Sequence, residues 1–491
     1  MYLYLVVLLP MILLGSWMQG NEEIFLDPGS CAMAFRLLRK NGYAISSDCL
    51  AEFEKKEIFY HSSSANSAHE SDTKSILELY KASQMKILQN EPVLDRIYDW
   101  TSIFLRDQLV KGLIENKSLY AEVNFALGHP YANLDRLETR SYIDNYNPLL
   151  KTSYRSSNID NRDLLTIASQ DFKMCQALHR EELDYLDRWV KEYKLDTLKF
   201  ARQRTAYGFI TIAAILSDPQ HSDVRTPWAQ NTALLTIIDD FFDYDGSMEE
   251  LHNLIDLFHK WDDHLTIGFK SEKVEIIFNA FYGTINELAA KARLQQGRCV
   301  RSHLINLWIL VMKNMLKEAE WARYNLVPTM YEYLAAGHVT IGLGVVLLIP
   351  LYFMGSQLSE DVIASQEYNS IYLHVSIIGR LLNDSATVKR ESAEGKLNGV
   401  SLLMEHGRGA VDEETSMKEV ERLIESHKRE LLRLIVDKKE GSVVPKSCKD
   451  LFWGLSKVLH LTYMDDDGFT SPVKMVNAAD VIVNQPILLT P

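Results

Sequence analysis

The chain has 491 residues, 47% of them hydrophobic, which is long enough for two or three domains with large cores and shows no disordered composition. Its formal net charge of −14 excludes a basic stripe for nucleic acid. The five cysteines (Cys31, Cys49, Cys175, Cys299 and Cys448) are widely spaced with no CxxC, a pattern of reduced intracellular thiols that excludes a zinc site.

Residues 1–16 are almost wholly apolar. Without a basic flank this run is weak as a signal peptide, and it is short for a membrane span. A displaced start codon or an alternative first exon is preferred to a membrane anchor. Residues 17–154 read as helices with polar breaks, and the Ser-rich patch at 61–69 reads as a loop between two of them. From residue 155 to 491 the helices lengthen, with apolar residues at helical spacing as far as Leu451–Tyr463. Runs such as Val345–Ile349 are expected between helical segments and lack hairpin punctuation, so the chain is expected to be all-α.

Within the second part, Ala233–Ile238 is nearly all apolar and runs directly into Asp239-Asp240-Phe241-Phe242-Asp243. A helix entering this stretch would be buried, and burying like charges is costly unless a cation compensates them. Asp239 and Asp243 are one helical turn apart on one face, a pair of hard oxygen ligands suited to Mg²⁺. Asp240 lies about 100° off that stripe and is expected to orient an arginine.

Asn383, Thr387 and Glu391 follow at i, i+4, i+8. Each four-residue step drifts by only about 40°, so the three oxygens share one stripe and make a second hard-cation set. Two such sets facing one cavity could hold a diphosphate between them, because Mg²⁺ is usually completed by substrate phosphates. Arg202, Arg204, Arg380 and Lys389 are the candidate diphosphate-binding residues, with Arg390 beside them, since guanidinium forks match phosphate geometry. Tyr207, Phe209 and Phe242 are candidate aromatic faces for a carbocation. Gly342, Gly344 and Pro350 interrupt an apolar helical stretch and favour a kink or a break. Asp262-Asp263 is expected at the surface, and Asp465-Asp466-Asp467 in a turn.

These two motifs resemble those of the plant class I terpene synthases, specifically the kaurene synthase-like diterpene synthases. Asp239-Asp-Phe-Phe-Asp243 is similar to the family's aspartate-rich motif, and Asn383-Asp-x-x-Thr387-x-x-x-Glu391 is similar to its second metal motif. The two stand in the family's order, 144 residues apart. Leu198–Arg204, Val327–Met330, Gly379–Asp384 and Lys389–Asn398 are also similar. Asn21–Arg39 resembles the family's upstream helical domain, so the likeness runs from about Trp17 to the C-terminus.

The resemblance implies a class I terpenoid synthase helical bundle over 155–491, preceded over 17–154 by a partial α-barrel-type domain from which upstream helices are missing. It implies Mg²⁺, with Mn²⁺ as the alternative, bound by Asp239, Asp243, Asn383, Thr387 and Glu391, and catalytic roles for Asp239, Asp240, Asp243 and Arg380. The implied substrate is ent-copalyl or a related diphosphate, supplied by an upstream class II cyclase and converted to a kaurene- or pimaradiene-type diterpene. Family members are typically plastidial, although no transit peptide is visible here. The family places a product-determining break near Val345 and Val346, where kaurene formers carry Pro and Ile. Ser385 stands where an aliphatic residue is usual and is expected to bond the carbonyl four residues back. No DxDD occurs in the chain, which argues against the protonation-initiated reaction. Two alternatives are a synthase using farnesyl or geranylgeranyl diphosphate, and a truncated, catalytically dead helical protein.

Overall fold

The computed structural model describes residues 14–487, apart from positions 16, 21, 41–42, 55–66, 89, 129–139, 141–160, 408–410, 437–440, 465–466 and 471–472. Most of the apolar leader, most of the Ser-rich patch, the 154/155 boundary and Asp465-Asp466 therefore lie outside the described residues. Among the described residues the regular structure is helical, with no strand.

The first group comprises α1 (Pro28–Lys40), α2 (Ser67–Ser83), α3 (Pro92–Val110) and α4 (Lys117–Gly128). On α1, Cys31, Phe35 and Leu38 recur at i, i+4, i+7 and are fully buried, which is the apolar stripe that an amphipathic helix turns inward. Pro92 opens α3, where a missing N–H leaves no bond unmade. The residue before it, Glu91, ties the group together. Its carboxylate accepts Arg39 Nη2 at 2.5 Å and the backbone amides of Ile87 and Leu88 at 2.9 Å each. Arg39 also donates to the carbonyls of Ile45 and Met85, and neither charged side chain is more than 1% exposed. Burial alone would raise the Glu91 carboxyl, but its bonds to Arg39 and the two amides hold it below the ordinary range.

The second group begins with α5 (Asn161–Glu192), α6 (Thr205–Ala213) and α7 (Ser222–Asp240). It continues through α8 (Met248–His259), α9 (Glu272–Gln296), α10 (Arg301–Arg323), α11 (Met330–Thr340) and α12 (Leu343–Leu351). It ends with α13 (Gln366–Glu394), α14 (Gly399–His406), α15 (Glu413–Val436), α16 (Lys446–Thr462) and α17 (Val473–Val483). One apolar core joins α7 to α13, with α7 packed on α6 and α12, and α13 packed on α11, α15 and α16. Ser247 with Glu250, and Thr329 with Glu332, close capping boxes at the starts of α8 and α11. The two groups meet where Ile87 packs with Leu432 and Val436, and where Arg429 pairs with Asp95 at 3.2 Å.

The expected interruption falls between α11 and α12, which bend by 44°. Gly342 has φ +76°, and a Cβ there would lie 2.1 Å from Leu235 Cδ2 on α7, so only glycine fits. The Val345–Ile349 run, expected between helices, is itself helical within α12 and wholly buried, because burial on all sides outweighs the weak β preference of its residues. No single described helix is long and apolar enough to cross a membrane; α11 and α12 pass that test only as a bent pair.

Removing one partner of a buried ion pair leaves the other uncompensated, so Glu91→Ala is expected to cost about 3–5 kcal/mol. Denaturant unfolding at neutral pH measures it. Because the Glu91 carboxyl is held low in the fold, its contribution is present above the ordinary carboxylate range and fades as the pH falls through its folded value. The gap between wild type and variant is therefore expected to narrow in acid.

Candidate active site

The C-terminal end of α7 carries Asp239 and Asp240, and a turn of π-helix over Phe241–Asp245 carries Asp243. Such a turn widens the spiral locally and is frequent at functional sites. It re-aims the side chains that follow, leaving Asp239, Phe242 and Asp243 on the wall of a cavity of about 240 Å³ while Phe241 remains in the core. α13 forms the facing wall with Arg380, Asn383, Arg390 and Glu391. The two sets of candidate ligands thus share one cavity.

Asp240 is turned away from it. It is 3% exposed and accepts the Arg202 backbone amide at 2.7 Å and Arg202 Nε at 2.9 Å. The same guanidinium reaches Asp239 Oδ2 at 2.8 Å, so Arg202 bridges the two aspartates. Asp243 is paired with Lys396 at 2.7 Å, and the Lys396 ammonium also lies 3.9 Å from the centre of the Tyr244 ring. Burial first, and Asp243 second, push the Asp239 carboxyl up to about 7, against the pull of Arg202. An acid so far from its ordinary value marks a place short of positive charge.

In the second set, Thr387 is 1% exposed and donates to the Asn383 carbonyl at 2.8 Å. Asn383 and Glu391 line the cavity, while Thr387, on the same stripe, is buried and not on its wall. Ser385 donates to the Leu381 carbonyl at 2.9 Å, the back-bond expected for it. Among the described residues no three His, Cys, Asp or Glu side chains converge by themselves. Both sets are instead open, all-oxygen and incomplete, the kind of shell that Mg²⁺ fills out with water and phosphate. With the displaced Asp239 titration, these donors fit a hard divalent cation.

The basic residues divide. Arg202, Arg380 and Arg390 line the cavity. Arg204 is committed elsewhere, donating to the Phe469 carbonyl at 2.9 Å and the Thr470 carbonyl at 3.2 Å. Lys389 is exposed and not on the cavity wall. Arg380 lies in a buried cluster that pattern reading missed. Its Nε is 2.9 Å from the Tyr333 hydroxyl and 3.1 Å from Asp384, and its Nη1 is 3.6 Å from Glu318. Burial pushes the Asp384 carboxyl up to about 6, against the pull of Arg380. Glu318 and Tyr333 stand on α10 and α11, in stretches with no acidic or basic run to flag them. Asn398 was missed as well; its position just before Gly399-Val400 is a helix-start signal.

Of the aromatic candidates, Phe242 lines the cavity. Tyr207 is set behind Phe469, edge-on at 5.1 Å, with its hydroxyl 3.0 Å from Thr462. Phe209 is plain core against His179. Val345 and Val346 are buried in α12 behind the cavity-lining Ile341. Asp467 pairs with Arg390 at 2.8 Å across a turn that includes Phe469, and Asp262 pairs with Arg301 at the surface.

The chain is also similar to known proteins. The chain is 56% identical over 477 residues to an ent-beyerene synthase of Ricinus communis, covering 96% of this chain and 60% of that protein. It is 54% identical to an ent-trachylobane synthase of the same plant with the same coverage, and 43% identical to an ent-kaur-16-ene synthase of Oryza sativa subsp. japonica, covering 96% and 62%. The chain thus spans about three fifths of the length of these relatives. Abietadiene synthase from Abies grandis superposes with a TM-score of 0.83 at 26% identity, over 94% of this chain and 62% of that one. Isoprene synthase from grey poplar leaves, in complex with three Mg²⁺ ions and dimethylallyl-S-thiolodiphosphate, gives 0.83 at 26% identity, over 97% and 88%. The metal binding domain of the terpene synthase family matches residues 191–430 and the terpene synthase N-terminal domain matches residues 11–127, so the chain belongs to the terpene synthase family.

Proposed function

We propose that this chain is a class I diterpene synthase that ionises a bicyclic, copalyl-type diphosphate and cyclises the cation to a kaurene- or pimaradiene-type diterpene. The observation that carries this reading is that Asp239 and Asp243 on one side and Asn383 and Glu391 on the other line one cavity, with Thr387 buried on the same stripe as the second pair. The names of the relatives support the substrate class, since ent-beyerene, ent-trachylobane and ent-kaurene synthases all appear among them. Several of those names are qualified as chloroplastic, which supports a plastid location, and the implied pathway partner is a class II cyclase that supplies the bicyclic diphosphate.

The reaction begins with heterolysis of the allylic carbon–oxygen bond, the electron pair leaving with diphosphate. Bound Mg²⁺, or Mn²⁺ in its place, supplies charge neutralisation on the leaving group. Arg202, Arg380 and Arg390 present their charge at the cavity wall to the departing anion, Arg380 held there by its buried cluster. Phe242 lends an apolar aromatic edge to a site that has to stay dry, since water would quench the cation. Asp240 acts through Arg202, whose fork it holds against Asp239.

Asp239→Ala is expected to abolish diphosphate release while leaving helical content unchanged, as read by a phosphate-release assay alongside circular dichroism. Full activity in that variant would remove Asp239 from the ligand set. Arg202→Lys keeps the charge but loses the planar fork, and a fall in kcat of roughly 10²-fold is expected in steady-state kinetics. The reading as a whole is tested by incubating the protein with geranylgeranyl, farnesyl and ent-copalyl diphosphates, with and without Mg²⁺, and identifying hydrocarbons by mass. A tricyclic or tetracyclic diterpene from ent-copalyl diphosphate, formed only with Mg²⁺, is the expected outcome. A product from farnesyl diphosphate instead, or no turnover from folded protein, would overturn it.

A further inference from the structure

We propose that Asn398 is a positioning residue for the second ligand set, fixing which carboxylate oxygen of Glu391 faces the cation and holding the Thr387 hydroxyl beside it. The inference rests on the reading of Asn383, Thr387 and Glu391 as ligands. Asn398 is fully buried between the end of α13 and the start of α14. Its side-chain nitrogen lies 2.8 Å from Glu391 Oε2, 3.2 Å from Thr387 Oγ1 and 2.9 Å from the Asp384 carbonyl. Its Oδ1 accepts the Val400 amide at 2.9 Å and so caps α14. One side chain therefore joins the first turn of α14 to three points on the metal-facing helix.

The hydrogen-bond inventory shows what these contacts leave available. The two N–H groups of Asn398 serve the nearer Glu391 and Asp384 oxygens, with Thr387 Oγ1 a longer, shared contact, and the Thr387 hydroxyl spends its proton on the Asn383 carbonyl, so its lone pairs are not all taken. Glu391 gives Oε2 to Asn398, which leaves Oε1 as its outward atom, 3.9 Å from Arg390. Only an amide combines these roles, because it offers two N–H donors on one side and a capping acceptor on the other. A carboxylate would set like charge against Glu391, and a hydroxyl is too short to span the gap.

The next residue fixes the register. A Cβ on Gly399 would fall 2.6 Å from Asp384 Oδ2 and 3.3 Å from Tyr333 Cε1, so the chain passes hard against the cluster that holds Arg380. Asn398 and Gly399 together therefore hold the ligand stripe and the Arg380 cluster to a single placement of α14. Partners of ligands that act in this way typically change metal affinity 10–100-fold when removed.

The test uses the full chain with Asn398→Ser and Asn398→Ala, titrating Mn²⁺ in the presence of inorganic diphosphate by electron paramagnetic resonance and recording thermal midpoints. Serine preserves the helix cap but cannot reach Glu391. The expected result is Mn²⁺ binding about 10–100-fold weaker in both variants, with the thermal midpoint of Asn398→Ser close to wild type. Unchanged Mn²⁺ affinity would overturn the proposal, and so would an affinity loss that appears in Asn398→Ala but is rescued by the capping serine. Wild type that takes up no Mn²⁺ would overturn the ligand reading itself. Wild type that binds Mn²⁺ and loses it in the variants, yet turns over no prenyl diphosphate, would support the role of Asn398 and remove the proposed reaction.

Discussion

The mutual repulsion of Asp239 and Asp243, with Asp240 behind them, sets the requirement that the surrounding elements meet. Two unit charges about 4 Å apart repel by roughly 4 kcal/mol at the effective dielectric of a protein, and the buried Asp240 adds a desolvation cost. Arg202 meets part of it by lying across Asp239 and Asp240, and Lys396 meets another part by pairing with Asp243. These cations come from distant points of the chain, before α6 and after α13. Both connections therefore bring their cations back to the end of α7. What remains is the displaced Asp239, the point at which a bound cation has most to gain.

The same balance governs the cavity as a whole. Among the described residues lining it, Asp239, Asp243, Glu318, Glu391 and Asp467 face Arg202, Arg323, Arg380, Arg390 and Lys396, so the wall itself is close to neutral. The net charge of −14 is thus carried elsewhere and does not bar an anionic ligand. An added diphosphate brings negative charge that the wall alone cannot absorb, which couples its binding to divalent cations. The arginines are not equivalent within this scheme. Arg204 spends its donors on the carbonyls of Phe469 and Thr470, and Arg390 is paired with Asp467, so these two also hold the turn that flanks the cavity.

Helical periodicity and the two motifs, read along the chain, carry the all-α architecture, the pairing of the ligand stripes and the break at Gly342. Each is a local pattern with a period, and so can be read without knowing the fold. Asp240 was separable from Asp239 for the same reason, since angular position on a helix follows from spacing. Of the partners of Arg380, Asp384 stands one turn on along the same helix and follows from spacing, but Glu318 and Tyr333 come from two other helices, and their convergence depends on how those helices pack. Arg204 and Lys389 show the opposite failure, because charge near a motif says nothing of where a long side chain ends. The helical state of Val345–Ile349 was obscured because uniform burial erases the amphipathic period.

The break and the metal helix are mechanically one unit. Leu235 stands one turn before Asp239 on α7, lines the cavity, and fills the space that a side chain at Gly342 would need. Thr340 and Ile341, at the break, line the same cavity. The floor that a cyclising cation would rest on therefore cannot shift without pressing on the helix that places the first ligand set. Val345 and Val346 follow the break in α12, are buried, and do not line the cavity. A change in their size would reach the cavity only through the seating of α12, since both are buried in its core and neither is on the wall. Tight packing makes this effective, since a core without voids passes a change of one methyl group on to its neighbours.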